Sequence, residues 1–218
     1  MTKFKAAIFD LDGTLLDTLE TLSYYCNCTL EKYGLCPYPK EAYRYMVGDG
    51  AKMLVHRMLG RQNADSAEMF EKAYRHYIDT YNSDKLFKTE IYPGIPALLD
   101  GLRDSGIKTA VLSNKPHEAT VPIIRHFFGE NAFCETRGAM EGVPLKPDPE
   151  AALRIAAHLG VQPAECIYVG DTGVDMETGK RAGFYTVGVL WGFREEEELR
   201  ESRADFIAQT PEEILKLL

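Results

Sequence analysis

The sequence predicts an α/β protein built on a doubly wound parallel sheet, with a helical segment inserted after the first strand. Four short apolar runs, Ala6 to Phe9, Thr109 to Leu112, Cys166 to Val169 and Tyr185 to Leu190, are nearly continuous, as strands buried on both faces must be. Helical periodicity alternates with the later runs over Glu118 to Phe128, Pro149 to His158 and Met176 to Ala182, the pattern of parallel strands with helices between them. Residues 15–88 break this alternation with helix after helix and no convincing strand.

The first run ends in Phe9-Asp10-Leu11-Asp12-Gly13-Thr14, placing two carboxylates just beyond an apolar strand. In the interrupting segment, Leu19, Leu22, Cys26, Leu30 and Tyr33 mark one apolar helical face. A second face carries Met69, Phe70, Ala73, Tyr74, Tyr77, Ile78 and Tyr81, whose aromatics read as core. The chain turns back at Tyr92-Pro93-Gly94 into a helix over Ile95 to Asp104, stopped near Gly106. The expected organisation is a Rossmann-like core of residues 1–14 and 89–218 and a helical lid of residues 15–88 lying above the strand ends. The acidic run Glu195 to Glu198 reads as a solvated helix start, where negative charge suits the helix dipole.

Composition excludes several classes of partner. The 218 residues are 45% hydrophobic and 27% charged, enough to build a core. With 25 basic against 33 acidic side chains the net charge is −8, which repels phosphate backbones and anionic lipid. Neither nucleic acid nor a membrane surface is an expected partner. Residues 15–88 hold ten basic and ten acidic side chains, so the whole −8 belongs to the core and the lid is not hostile to anions. No signal-like start and no apolar run of spanning length is present, so a cytoplasmic location is expected. Five cysteines, an odd number, suit free thiols in a reducing compartment. Cys26-Asn27-Cys28 lacks a second cysteine pair or a histidine at zinc spacing and reads as helix packing. Oligomeric state is left open.

Residues two apart in an extended chain point to the same side, so Asp10 and Asp12 reach one crevice at the carboxyl ends of the strands. Their repulsion needs compensation, and a hard divalent cation such as Mg²⁺ supplies it. Further carboxylates arrive in Gly170-Asp171-Thr172-Gly173-Val174-Asp175, again past an apolar run. Ser113-Asn114-Lys115 and Lys146 bring hydroxyl and positive groups suited to phosphoryl oxygens. Each signal alone has a bland reading, since Asp-x-Asp is often a cap and a lysine before proline often a solvated loop. Their joint occurrence at successive strand ends favours chemistry.

In these motifs the chain resembles the haloacid dehalogenase-like phosphohydrolases over essentially its whole length. Asp10 to Thr14 matches the family's first motif, Ser113 its second, Lys146 its third, and Asp171 with Asp175 its fourth. Val47-Gly48-Asp49-Gly50, Ser113-Asn114-Lys115 and Trp191-Gly192-Phe193 are similar to the phosphoglycolate phosphatases within it. The resemblance implies a phosphatase acting on a small phosphorylated metabolite, with 2-phosphoglycolate the first choice. Asp10 would be the nucleophile, forming an aspartyl-phosphate, and Asp12 the general acid and then base. Mg²⁺ would be held by the Asp10 carboxylate, the Asp12 backbone carbonyl and Asp171, with Asp175 ordering the site directly or through water. Ser113 would hold a phosphoryl oxygen, Lys146 would neutralise nucleophile and phosphate, and Gly13, Thr14 and Asn114 would complete the phosphate site.

The core motifs touch only the phosphoryl end, so the lid should read the rest of the substrate. Gly48-Asp49-Gly50 permits close approach, and Lys52 follows at the start of the amphipathic stretch Met53, Leu54, Met58 and Leu59. Lys52 could pair with a substrate carboxylate, with Arg44 and Arg57 next in line; otherwise it is a solvated lysine. Pyrophosphate and sugar phosphates are alternative substrates on the same core, the latter by hydrolysis or by a mutase reaction. A dehalogenase would not need Asp12, and a phosphonatase would need a lid lysine, Lys40, Lys52 or Lys72, as Schiff-base nucleophile. A phospho-accepting signalling module also sets aspartates and a lysine on such a sheet, but has no need of the long lid.

Overall fold

The apolar run that opens the chain becomes β1 (Ala6–Phe9), every residue of which is fully buried. A computed structural model describes residues 3–218. In it β1 lies centrally in a parallel sheet of order β5-β4-β1-β6-β7-β8, the strands being β4 (Lys108–Pro116), β5 (Glu135–Ala139), β6 (Cys166–Gly170), β7 (Tyr185–Val189) and β8 (Phe206–Ala208). Ala6 to Phe9 pair with Lys108 to Val111 on one side and with Cys166 to Val169 on the other. The strand order thus reverses at β1, and the crevice beyond its carboxyl end is where open α/β sheets bind ligands.

Alternation along the strands sorts two apolar layers. Ala7, Phe9, Val111, Ile167 and Val169 face one layer, against α4 (Ile95–Asp104), α5 (His117–Phe128) and α9 (Glu212–Leu215). Ala6, Ile8, Ala110, Leu112 and Tyr168 face the other, against α6 (Glu150–His158) and α7 (Gly173–Ala182). Expected and observed elements agree closely here. α7 begins earlier than periodicity alone indicates because the Thr172 side chain accepts from the Asp175 N–H and Asp175 in turn accepts from the Thr172 N–H. β5 and β8 went unforeseen because Glu-Thr-Arg-Gly-Ala has no apolar run and Phe-Ile-Ala is too short to show one. Both are edge strands, where burial demands least.

Between β1 and β4 the chain runs through α1 (Leu19–Lys32), a 3₁₀ segment (Lys40–Tyr45), α2 (Ala51–Gly60) and α3 (Ala67–Ser83). These helices share their own apolar cluster, including Leu22, Cys26, Leu30, Met58 and Tyr77, joined from outside by Ala119 and Phe193. Both Cys26 and Cys28 lie on α1, Cys26 buried in that cluster and Cys28 half-buried, and all five cysteines are free. The two crossings into this helical insert lie side by side, β2 (Leu16–Asp17) pairing antiparallel with β3 (Glu90–Ile91). α8 (Glu196–Glu201) contains most of the acidic run, yet Glu198 is not merely solvated: it accepts from the Gly173 N–H at 2.9 Å and pairs with Arg194 at 3.1 Å. Among the described residues no helix is long and apolar enough to cross a membrane.

The sheet and α7 approach closely at Gly179, where an added Cβ would meet Thr186 Cγ2 at 2.5 Å and Tyr168 Cβ at 3.0 Å. Gly179→Ala should therefore lose about 1–3 kcal/mol to overpacking, offset by about 1 kcal/mol of helix propensity. Thermal unfolding should show a Tm lowered by a few degrees; an unchanged Tm would mean that α7 slides off the sheet without cost.

Candidate active site

Three strand ends and one loop deliver the site. β1 runs into Asp10, which is 5% exposed, and Asp12, which is half-buried. β4 brings Ser113, Asn114 and Lys115, all buried; β6 leads through Gly170 to Asp171 and to Asp175 in the first turn of α7, both fully buried. Lys146 arrives on the loop before α6 and is also buried. One ligand oxygen from each of Asp10, Asp171 and Asp175 falls within a common 4.8 Å.

Glycine makes that crowding possible. A Cβ at Gly13, whose φ is +86°, would lie 2.3 Å from Asp171 Oδ2. One at Gly170 would lie 2.3 Å from the Asp175 side chain, and one at Gly192 2.3 Å from Asp171 Cβ. The carboxylates are then fixed by donors. Asp171 accepts from Thr14 Oγ1 at 3.2 Å and from the Phe193 N–H at 2.8 Å. Asp175 Oδ2 accepts from Thr172 Oγ1 at 2.7 Å and Oδ1 from Lys146 Nζ at 2.7 Å. Lys146 Nζ also stands 2.8 Å from Asp10 Oδ1, but without hydrogen-bond alignment, so this buried oxygen has no hydrogen-bond donor.

Electrostatically the cluster is short of positive charge. Burial raises the Asp10 carboxyl to about 7 against the pull of Lys146, with Asp175 adding to the rise. Burial, then repulsion from Asp175 and Asp10, pushes Asp171 well above the carboxylate range. Burial pushes Lys146 down, but Asp10 and Asp175 more than reverse this, so its ammonium is held charged. Three crowded carboxylates, one lysine and an orphaned buried oxygen fit a small hard cation with oxygen ligands.

Asp12 stands apart from this cluster. Lys115 Nζ donates to both of its carboxylate oxygens at 2.8 Å and sits 5.0 Å from the centre of the Tyr81 ring of α3. Lys115, expected among the groups facing phosphoryl oxygens, is instead spent on Asp12. Asn114 is committed as well: its side-chain amide donates to the Gly48 and Lys146 carbonyls at 3.1 Å and accepts from the Lys146 N–H at 2.8 Å. It straps the Lys146 loop and the insert to β4. Gly13 and Thr14 serve Asp171, and Thr14 also accepts from Trp191 Nε1 through its carbonyl at 3.0 Å.

A cavity of about 230 Å³ opens from Asp10, Asp12 and Ser113 toward the insert. Gly48 and Gly50 line it, and a Cβ at Gly50 would come within 3.3 Å of the Asn114 carbonyl. Asp49 and Lys52 do not line it: Lys52 is exposed, and Asp49 pairs with Arg57, which also donates to the Met46 carbonyl. The far wall is instead Leu54, Tyr74, Tyr77, Ile78 and Tyr81. Tyr74, Tyr77 and Tyr81 read as core from their helical spacing, and in the structure the same three side chains also line the cavity. Arg194, buried and unforeseen, donates from the core to the carbonyls of Arg44 and Val47 in the insert.

Residues 7–189 match the haloacid dehalogenase-like hydrolase family. The chain belongs to that family. A phosphoglycolate phosphatase from Psychrobacter arcticus is 34% identical over 89% of this chain and 86% of its own length. An N-acetylmuramic acid 6-phosphate phosphatase from Pseudomonas aeruginosa is 30% identical over 99% and 95%. The crystal structure of a predicted phosphoglycolate phosphatase from Haemophilus somnus superposes with a TM-score of 0.92, at 27% identity, covering 100% of this chain and 99% of the other. This member of the haloacid dehalogenase-like hydrolases is a phosphatase.

The raised Asp10 carboxyl makes a prediction about the metal-free protein. Between pH ~4 and ~7 folded Asp10 keeps a proton that the unfolded chain releases, so its contribution to stability falls as pH rises through that window and stays lost above it. Asp10→Asn removes the charge and should raise the Tm of metal-free protein at pH 8 by several degrees. Mg²⁺ should raise the wild-type Tm more than the variant's. Equal Mg²⁺ shifts in the two proteins would detach Asp10 from the cation site.

Proposed function

We propose that this phosphatase hydrolyses a small phosphate monoester through an aspartyl-phosphate on Asp10, with Mg²⁺ as its cofactor. The observation that supports this most is the meeting of Asp10, Lys146, Asp171 and Asp175 in one buried cluster at the mouth of a cavity that also holds Asp12 and Ser113. Asp10, Asp171 and the Asp12 carbonyl would hold the Mg²⁺, while Asp175, whose two oxygens are taken by Thr172 and Lys146, orders the site. When bound, the cation neutralises charge on the carboxylates and on the phosphoryl oxygens.

In the first half-reaction an Asp10 oxygen attacks phosphorus and the ester oxygen leaves with a proton from Asp12. In the second, Asp12 takes a proton from the water that cleaves the acyl-phosphate, regenerating Asp10 and releasing phosphate. Lys115, bonded to both Asp12 oxygens, holds that side chain in place for both steps. Ser113 would donate to a phosphoryl oxygen, and Lys146 keeps Asp10 and the incoming phosphate from repelling one another. Residues 15–88 would act as a cap over a core of residues 1–14 and 89–218, choosing the alcohol that leaves. The names of the relatives make 2-phosphoglycolate the first ester to assay and a sugar phosphate the second.

Asp10→Asn should abolish phosphate release from p-nitrophenyl phosphate while the far-UV circular dichroism stays native. Asp12→Asn should lower steady-state turnover by about 10²–10⁴-fold, with radiolabelled phosphate persisting on the protein. Wild-type turnover by either variant contradicts its assigned role. Activity should vanish in chelator and return with Mg²⁺, and Ca²⁺ should restore it poorly because its coordination is larger and looser; turnover undiminished in chelator would exclude the cation.

A further inference from the structure

The cavity that receives the leaving alcohol has a charge pattern at odds with a carboxylate. Its charged lining residues are Asp10, Asp12, Lys115 and Glu118. Lys115 is the one cation among them and is already held by both oxygens of Asp12. Glu118, exposed at the start of α5, has no basic partner among the described residues. The insert's candidate cations lie elsewhere: Lys52, exposed, and Arg44 are both outside the lining, and Arg57 is engaged by Asp49 and the Met46 carbonyl. A second anion on the substrate would meet Glu118 and an apolar wall, with no free cation to offset the lost hydration.

What the cavity does offer is an aromatic and aliphatic wall with uncharged and acidic polar residues beside it. Tyr74, Tyr77 and Tyr81 occupy one face of α3, with Tyr77 and Tyr81 stacked at 5.8 Å between centroids and 22° between planes. Leu54 and Ile78 fill in beside them, Asn82 and Glu118 add polar groups, and the Tyr81 hydroxyl is engaged by Lys115. A volume of about 230 Å³ holds a six-membered ring with its substituents and exceeds what a two-carbon acid needs. Aromatic faces bury the apolar C–H side of such a ring, while a carboxylate and an amide accept from and donate to its hydroxyls.

We propose that the preferred substrate is the phosphate ester of an uncharged sugar or cyclic polyol, its ring lying against Tyr74, Tyr77 and Tyr81 and its hydroxyls turned toward Asn82 and Glu118. This rests on the phosphatase reading above and narrows it: the phosphoryl end stays with Asp10, and specificity comes from the tyrosine face of α3 and from Glu118 of α5. 2-Phosphoglycolate becomes a poor substrate despite its small size.

The test compares kcat/KM of the Mg²⁺-loaded enzyme for glucose 6-phosphate, ribose 5-phosphate, 2-phosphoglycolate and p-nitrophenyl phosphate. At least one sugar phosphate should exceed 2-phosphoglycolate by about thirtyfold or more. Glu118→Lys, at an exposed position that leaves folding intact, should narrow that ratio at least tenfold by raising the rate on 2-phosphoglycolate, and Glu118→Gln should narrow it less. Tyr77→Leu should raise KM for the sugar phosphate more than for p-nitrophenyl phosphate. A wild-type preference for 2-phosphoglycolate, or a ratio unmoved by Glu118→Lys, overturns the proposal while leaving Asp10-dependent hydrolysis of p-nitrophenyl phosphate intact. Absence of Asp10-dependent hydrolysis of any ester would overturn the phosphatase reading and this one with it.

Discussion

Three carboxylates share a space from which water has been removed, and much of the surrounding structure answers to that constraint. Like charges within 4.8 Å in a buried site repel strongly, as the upward displacement of the Asp10 and Asp171 carboxyls reports. The chain meets the repulsion with a lysine driven into the cluster, a backbone N–H from Phe193 and hydroxyls from Thr14 and Thr172. It reaches the required closeness by leaving out Cβ atoms at Gly13, Gly170 and Gly192. These residues come from β1, from the β6–α7 turn and from the loop after β7, so the cluster also ties the middle of the sheet together at its carboxyl edge.

Around this fixed centre the charge arrangement separates two kinds of aspartate. Asp10 lies among other carboxylates with an unsatisfied oxygen, whereas Asp12, two residues on, is paired on both oxygens with Lys115. Their environments differ because β1 ends between the acidic β6 side and the basic β4 side of the sheet. Two neighbours in sequence are thereby given opposite electrostatic surroundings. The helical insert closes the space above them without adding charge to the cluster, and the ring of its Tyr81 lies 5.0 Å from the Lys115 ammonium.

The central strands were legible in the sequence because each is buried on both faces and written as an unbroken apolar run. The edge strands β5 and β8 were not, since one neighbour and partial burial impose little on composition. Asp10, Asp12, Ser113, Lys146, Asp171 and Asp175 stood out because acidic, hydroxyl and basic residues rarely terminate consecutive buried runs by packing need alone. The wall opposite them was opaque for the converse reason: a tyrosine that packs on a helix and a tyrosine that also faces a cavity obey the same spacing. Lys52 illustrates the limit from the other side. A position after a glycine turn at a helix start indicates where the backbone goes, but the rotation of α2 about its axis is set by Leu54, Val55, Met58 and Leu59 entering the insert's core, and that rotation turns Lys52 outward.

Arg194 and Asn114 reach from the sheet layer into the insert, and both end on main-chain carbonyls, those of Arg44 and Val47 and that of Gly48. A docking contact made to carbonyl oxygens is indifferent to which side chains the docked segment carries. Met46 and Val47 stay fixed by the insert's own core and Gly48 by its positive φ, but the walls beyond them can be rewritten without loosening the attachment that places them above the acidic cluster. The fold thus keeps its hydrolytic end constant while leaving the opposite wall free to drift from one metabolite to another.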